Sequence, residues 1–270
     1  MKKRIDLLLV EKGLCPSREK AKARIIAGDV FVVQQKVTTP SAQFEESIDI
    51  ELKGNDCPYV SRGGYKLEKA IKSFGIDLQG AVCADIGAST GGFTDCMLQN
   101  GACRVYAVDV GYGQFAWGLR DDPRVTLFER TNARYLEPFD QPADFVSADV
   151  SFISLSLIFP AAVRIGTADM RMVALIKPQF EAGKDKVGKK GVVKDAHTHI
   201  GVIKDVRSAA AESGLYLNRL DFSPIKGPNG NIEFLGLFSP DAALPVEDAQ
   251  IEQVVMQAHT SLYSNLSKGC

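Results

Sequence analysis

The residues with the most chemical potential are Asp85-Ile86-Gly87-Ala88-Ser89-Thr90-Gly91-Gly92-Phe93-Thr94, which follow an apolar run and open a helical one. Glycines at a strand-to-helix turn let the backbone approach a ligand closely, because no Cβ intervenes. The spacing here is G-x-x-x-G-G, not the G-x-G-x-x-G of a pyrophosphate-binding turn. Asp109 ends the next apolar run, about 20 residues on, where a carboxylate accepts hydrogen bonds from ribose hydroxyls. Asp149 and Lys177 close two further apolar runs, Glu233 sits inside Asn231-Ile232-Glu233-Phe234-Leu235, and Lys66 precedes a helical stretch. Burying charges is expensive unless they are paired, so charges at strand ends point to a crevice. Glu233 on its own reads more simply as a rim salt bridge.

An acid before the loop, a glycine-rich turn and a second acid on the next strand resemble S-adenosylmethionine (SAM) binding. On that reading the cofactor residues are Asp85, Gly87, Ser89, Thr90, Gly91, Gly92, Phe93, Asp109, Val110 and Asp149. Asp85 would face the cationic methionine end, where a carboxylate suits ammonium and sulfonium charge. Phe115 and Trp117 are open to adenine contact or to core packing. Other readings use the same residues. Gly87-Ala88-Ser89-Thr90-Gly91 also matches the G-x-S-x-G elbow of hydrolases, which needs a later acid and then a histidine. Only His197, His199 and His259 exist, and none follows an obvious strand-end loop. Gly183–Lys190 nearly matches a phosphate loop, but Lys190 replaces the required Ser or Thr. A glycine turn that merely packs is the plainest alternative, and the paired Asp109 weighs against it. His197-Thr198-His199 is too little for a metal site, so no metal is expected.

These residues need a scaffold that brings strand ends together. Strands are expected at Ala81–Ile86, Arg104–Val108, Val125–Leu127, Phe145–Ala148, Met172–Ile176, Tyr216–Leu220 and Ile232–Phe238. Helices fit between most of them, for example Phe93–Gln99 and Thr198–Ser213, with a last one over Ala249–Leu262. Strands alternating with helices imply an α/β fold, a Rossmann-like, mostly parallel sheet whose ligands bind beyond the strands' carboxyl ends. The first segment differs. Leu7–Val10 form a short helix that Gly13 ends, and Ser17 caps a second with Glu19 in its first turn. Val30–Val33 and Ile48–Leu52 then read as strands of a small α+β unit. The turn-rich Gly54–Pro58 is the expected linker, giving domains at 1–58 and 59–270.

The 270 residues are 45% hydrophobic and 24% charged, with 24 Gly and 12 Pro, which excludes collagen, a disulfide scaffold and wholesale disorder. No apolar run approaches the ~20 residues of a membrane span. Asp6 and Glu11 bracket only four apolar residues, too few for a signal peptide, and the six cysteines include no C-x-x-C pair. A cytoplasmic protein with free thiols is therefore expected, with no membrane partner. The net charge of −1 conceals an asymmetry: residues 1–36 carry nine Lys and Arg against four acids, a local +5. Such asymmetry suggests a nucleic-acid-binding module joined to something else.

The head resembles the RNA-binding domain first seen in ribosomal protein S-four, through Arg4-Ile5-Asp6, Pro16-Ser17-Arg18-Glu19-Lys20-Ala21, Ile26, Gly28 and Val30-x-Val32. That resemblance implies RNA contacts from Arg4, Arg18, Lys20, Lys22 and Arg24. Where that family usually has Asn-Gly in the hairpin, this chain has Gln34-Gln35, so a different turn is expected. The body carries Ser61-Arg62-Gly63-Gly64-Tyr65-Lys66-Leu67, Asp85–Asp95, Val108-Asp109-Val110-Gly111-Tyr112-Gly113-Gln114, Ala148–Ser154 and Ile176–Glu181. Together these look like the TlyA family, which joins such a head to an FtsJ-like ribose methyltransferase. The resemblance implies a Lys-Asp-Lys-Glu tetrad at Lys66, Asp149, Lys177 and Glu233, with Phe152 near the site. It also implies SAM as cofactor, S-adenosylhomocysteine as product, and cytidine 2′-hydroxyls of ribosomal RNA as substrate. The basic loop Gly183–Lys194, with Lys184, Lys189 and Lys190, is a further RNA candidate. A non-enzymatic RNA-binding or assembly protein that retains SAM is the alternative. Many relatives carry an old hemolysin label, and nothing in the sequence suggests a pore.

Overall fold

A computed structural model describes residues 2–52 and 57–263, so most of the expected linker, Gly54–Asp56, lies outside the described residues. The chain divides into two compact units, residues 1–62 and 63–270.

In the first unit, α1 (Ile5–Glu11) and α2 (Arg18–Ala27) pack against each other and share a core with short strands. Ser17 caps α2 by accepting the Lys20 amide at 3.2 Å, and Gly28 ends it in the left-handed region that glycine tolerates. Strand β1 (Lys2–Arg4) pairs antiparallel with β4 (Gln43–Glu45). A second antiparallel sheet has the order β3-β2-β5, from Val30–Val32 (β2), Gln35–Val37 (β3) and Ile50–Leu52 (β5). The core of this unit is Ile5, Leu8, Leu9, Ala21, Ile25, Val30 and their neighbours. The hairpin turn occupies Val33 and Gln34, one residue earlier than the Gln34-Gln35 expected for it. Val32 pairs with Gln35, which leaves a two-residue loop with φ of 48° at Val33 and 62° at Gln34. Such a turn needs positive φ at both centres, a conformation that strains a β-branched valine.

The second unit holds seven strands: β6 (Val82–Ile86), β7 (Arg104–Val108), β8 (Val125–Phe128), β9 (Ala143–Ala148), β10 (Gly166–Ile176), β11 (Tyr216–Phe222) and β12 (Phe234–Ser239). All seven fall where the apolar runs place them. Their order is β11-β12-β10-β9-β6-β7-β8, and only β12 runs against its neighbours. The central strands β6, β7 and β9 read as nearly continuous apolar runs because they are buried on both faces, whereas the edge strands β8 and β11 are largely half-buried. Helices α3 (Gly63–Phe74) and α4 (Gly92–Gln99) pack together, as do α8 (Ala196–Glu212) and α9 (Asp248–Tyr263). Short helices α5 (Trp117–Arg120), α6 (Phe159–Ile165) and α7 (Pro178–Glu181) complete the connections.

Chain order reverses at β6, which has β7 on one side and β9 on the other. Connections leave such a switch point in opposite directions and open a crevice above it, where ligands of doubly wound sheets bind. Two constraints hold the crevice floor. The Asp149 amide donates to the Ile86 carbonyl at 3.0 Å, and a Cβ on Gly87 would lie 2.7 Å from the Asp149 carbonyl oxygen. Only glycine lets the two strand ends approach so closely, and its φ of 84° adds a second reason.

Candidate active site

A cleft of about 430 Å³ opens at this switch point. Its walls include Ile86, Gly87 and Ser89 after β6, Asp109, Val110 and Gln114 after β7, and Asp149–Ile153 after β9. Asp109 accepts the Ser89 amide at 2.7 Å and the Gly111 amide at 2.6 Å, one on each carboxylate oxygen. That bracing fixes a half-exposed carboxylate at the end of β7.

The expected cofactor residues divide into two groups. Gly87, Ser89, Asp109, Val110 and Asp149 line the cleft. Thr90, Gly91, Gly92 and Phe93 do not. Thr90 is exposed, with its carbonyl accepting the Ala116 amide, and Gly91 packs against Phe115 and Leu119. Phe93 is core, because the first turn of α4 rotates it inward. Phe115 is also core, whereas Trp117 is exposed. Asp85 requires a larger correction. It does not face a cation in the cleft: its carboxylate is fully buried, accepting hydrogen bonds from the Thr94 hydroxyl at 2.7 Å and the Ser147 hydroxyl at 3.0 Å. Burial pushes its pKa up to about 6, against the pull of those two hydroxyls, and nearby Asp149 adds to the rise.

A raised carboxyl pKa means the folded state holds its proton more tightly than the unfolded chain. Stability is therefore lost as pH rises from about 4 to about 6, amounting to ~3 kcal/mol at neutral pH. We expect Asp85→Asn to gain most of that at pH 7.5 and nothing at pH 4, read from urea unfolding at both. Equal gains at the two pH values would refute the assignment.

Beside the cleft, four charged side chains from distant parts of the chain meet. Lys66, in the first turn of α3, places Nζ 2.7 Å from Glu233 Oε2 and 3.6 Å from Asp149 Oδ2. Lys177, at the end of β10, places Nζ 2.5 Å from Asp149 Oδ1 and donates to Ser151 Oγ at 3.0 Å. Glu233 is wholly buried, not a rim salt bridge. It also accepts from Gln179 Nε2 at 3.4 Å, and Gly227 lies against it so closely that a Cβ there would overlap Oε1. Burial disfavours the Lys66 charge, but Asp149 and Glu233 outweigh it and raise its pKa above that of an ordinary lysine. Burial likewise opposes the Asp149 charge, and the two lysines override it, holding the carboxyl below its usual range. Lys66 is thus a fixed cation clamped between two carboxylates, whereas Lys177 meets one carboxylate and a hydroxyl. Sequence reasoning missed Ser151, Gln179 and Gly227. The first two lie within quoted motifs but have unremarkable side chains, and Gly227 lies in no motif at all.

Phe152 stands over this site with its side chain 92% exposed and φ of 62°, and its ring lies 4.8 Å from that of Phe180. An exposed phenylalanine in the left-handed region is strained and solvated at once, a combination that concentrates at functional sites. The loop after α7 exposes Lys189 and Lys190, while the Lys184 side chain lies outside the described set. Asn231 anchors that loop, donating to the Gly191 carbonyl at 2.9 Å and accepting the Val193 amide at 3.1 Å. In the head, Lys20 is exposed and Lys22 and Arg24 are half-buried. Arg4 and Arg18 both grip buried Asp6, at 3.0 and 2.9 Å, so part of their charge serves the head's own structure.

The hydrolase reading loses its partner residues. His199 is buried and bonded to His259 at 2.9 Å and to the Val193 carbonyl at 3.1 Å, and no histidine lines the cleft that holds Ser89. Among the described residues no cluster of three or more His, Cys, Asp or Glu could hold a metal ion. Nor is any described helix long and apolar enough to cross a membrane.

The family model of FtsJ-like methyltransferases matches residues 59–239. The "16S/23S rRNA (cytidine-2'-O)-methyltransferase TlyA" of Mycobacterium tuberculosis is 43% identical over 234 residues, covering 86% of this chain and 87% of its own. "Hemolysin A" of Brachyspira hyodysenteriae is 42% identical over 238 residues, covering 87% of this chain and 99% of its own. A solved structure of a Streptococcus thermophilus protein that carries a hemolysin label superposes with a TM-score of 0.79 at 44% identity, covering 99% of both chains.

Proposed function

The chain belongs to the FtsJ-like methyltransferase family and to its TlyA branch, and from that premise we propose that it methylates a ribose 2′-hydroxyl of ribosomal RNA, at a cytidine, using SAM. One observation carries the reading: Asp149 lines the cleft and at the same time contacts both lysines, so the cofactor's place and the charged chain share a wall.

The cleft suits the cofactor. Apolar Ile86, Val108 and Ile158 offer a slot for a flat base, and the braced Asp109 carboxylate offers acceptors for ribose hydroxyls. When bound, SAM supplies an electrophilic methyl on a sulfonium and leaves as S-adenosylhomocysteine. The protein's part is to orient the RNA hydroxyl and remove its proton as the new C–O bond forms. Lys177 takes that proton on the lone pair of its neutral amine and becomes an ammonium. Lys66, kept charged by its two carboxylates, stabilises negative charge developing on the oxygen. Asp149 aims both lysine nitrogens, and Glu233, held by Gln179, fixes Lys66. The strained, exposed Phe152 gives the target base a face to stack on.

The head and the 183–194 loop hold the RNA. Lys20, Lys22, Arg24, Lys189 and Lys190 supply phosphate contacts, which make affinity fall steeply with salt. Arg4 and Arg18 contribute what charge Asp6 leaves them.

The test is to incubate the chain with methyl-labelled SAM and separated ribosomal subunits, then map the label. Label on a cytidine 2′-oxygen is the expected result. RNA binding with no label in either subunit would instead favour an assembly protein that retains SAM. Removing residues 1–62 should weaken RNA binding and flatten its salt dependence. Unchanged binding would overturn the head's role.

A further inference from the structure

The exposed aromatic side chains among the described residues are Tyr112, Trp117, Tyr135 and Phe152. Phe152 belongs to the site above. The other three are 66%, 65% and 69% exposed, and each lies beside an arginine. The Arg130 guanidinium sits 4.2 Å from the Tyr112 ring centroid, Arg134 sits 5.3 Å from that of Tyr135, and Arg120 sits 5.5 Å from that of Trp117. Significant pairs of this kind occur roughly once per 70–80 residues in proteins. Three of the pairs lie between positions 112 and 135.

Chain neighbours of two of the pairs line the cleft, and Tyr135 itself lines a second hollow that shares Thr131 with it. Val110 and Gln114, either side of Tyr112, line the cleft, as do Thr131, Asn132 and Ala133 between Arg130 and Arg134. Glu129 ties the first and third pairs together, accepting the Gly113 amide at 2.7 Å and pairing with Arg120. The acids of this segment are partly occupied: Glu129 by Arg120, and Asp122 by Arg124 at 2.8 Å, while Asp121 is exposed. Arg130 is held with φ of 54°, a conformation that costs an arginine energy and aims its side chain at Tyr112.

We propose that these three pairs form a stacking ledge on the rim of the cleft for unpaired nucleotides flanking the target ribose. The inference rests on the ribosomal RNA reading above. Aromatic faces and guanidinium planes are the two surfaces on which unstacked bases lie, and the arginines add attraction for phosphates.

Trp117 is the chain's sole tryptophan, so its fluorescence reports on the ledge directly. The full chain is titrated with a short fluorescein-labelled single-stranded RNA and with its duplex, following tryptophan emission and fluorescein anisotropy together. Quenching by the single strand, with less by the duplex, is expected. Tyr112→Ala, Trp117→Ala and Tyr135→Ala should each weaken single-strand binding about tenfold. They should raise KM for ribosomal subunits while kcat and SAM affinity hold, and Trp117→Phe should restore most of the loss. Binding seen by anisotropy with silent tryptophan and unaffected variants overturns the ledge while leaving the function intact. RNA that is neither bound nor methylated overturns both.

Discussion

Replacing Lys177 with arginine should abolish methyl transfer while the folded chain still binds SAM and RNA. Arginine keeps the positive charge, the reach to Asp149 and the hydrogen bonding to Ser151, but it does not release its proton at any working pH. The substitution therefore separates two roles that Lys177→Ala removes together, charge and proton acceptance. A general base contributes about 10²–10⁴ to the rate, so kcat should fall by about a thousandfold for either variant. Single-turnover transfer from labelled SAM to ribosomal subunits measures this, and calorimetry of SAM binding should give near-native affinity. If Lys177→Arg turns over within tenfold of the native rate, Lys177 is not the base.

The second large effect concerns the fold as much as the chemistry. Glu233→Ala leaves buried Lys66 with only Asp149, 3.6 Å away and already shared with Lys177. Removing one partner of a buried pair costs ~3–5 kcal/mol, because the remaining charge is uncompensated. Removing both should cost less, so the Lys66→Met/Glu233→Leu double variant should be more stable than Glu233→Ala, although inactive. Denaturant unfolding of the three proteins tests this, and a loss below about 1 kcal/mol for Glu233→Ala would show that the pair does not carry the site. The sign of the pH dependence follows from the shifts. Lys66, raised, contributes fully below its unfolded pKa, and that contribution is lost only as pH climbs through the higher folded value. Asp149, lowered, contributes above its unfolded pKa and loses it as pH falls through the folded value. Lys66 and Asp149 are thus both charged across the neutral range.

Much of this arrangement was legible before any coordinates. The central strands β6, β7 and β9 announced themselves as apolar runs, because a parallel sheet buried on both faces demands them, whereas the edge strand β11 carries Asn218, Arg219 and Asp221 and is mostly half-buried. Ser17 and Gly28 marked the ends of α2 through the capping chemistry of their side chain and backbone. Signals of this kind are local, so the residues carry them wherever the chain later goes. Errors arose where a residue's neighbours in space decided its role. Asp85 looked like a ligand because it precedes a glycine turn, but Thr94 and Ser147, nine and sixty-two residues away, enclose it. Phe93 looked like part of the loop, yet the first turn of α4 faces it inward.

Glu233 shows where the division lies. By itself the sequence determined the inventory of elements, the positive head joined to a mildly acidic body, and four charged residues at element ends. Only the family resemblance grouped the fourth with the others; spacing and polarity alone do not, since an acid at the start of a strand ordinarily sits on the far side of a parallel sheet from the strands' carboxyl ends. Tertiary structure decided this by running β12 antiparallel to β10, with Phe234 opposite Ile176. That reversal puts the beginning of β12 beside the end of β10, so Glu233 arrives next to Lys177 and within 2.7 Å of Lys66. Strand direction is fixed by the path of the whole chain and by the burial of both sheet faces, and no short stretch of residues encodes either.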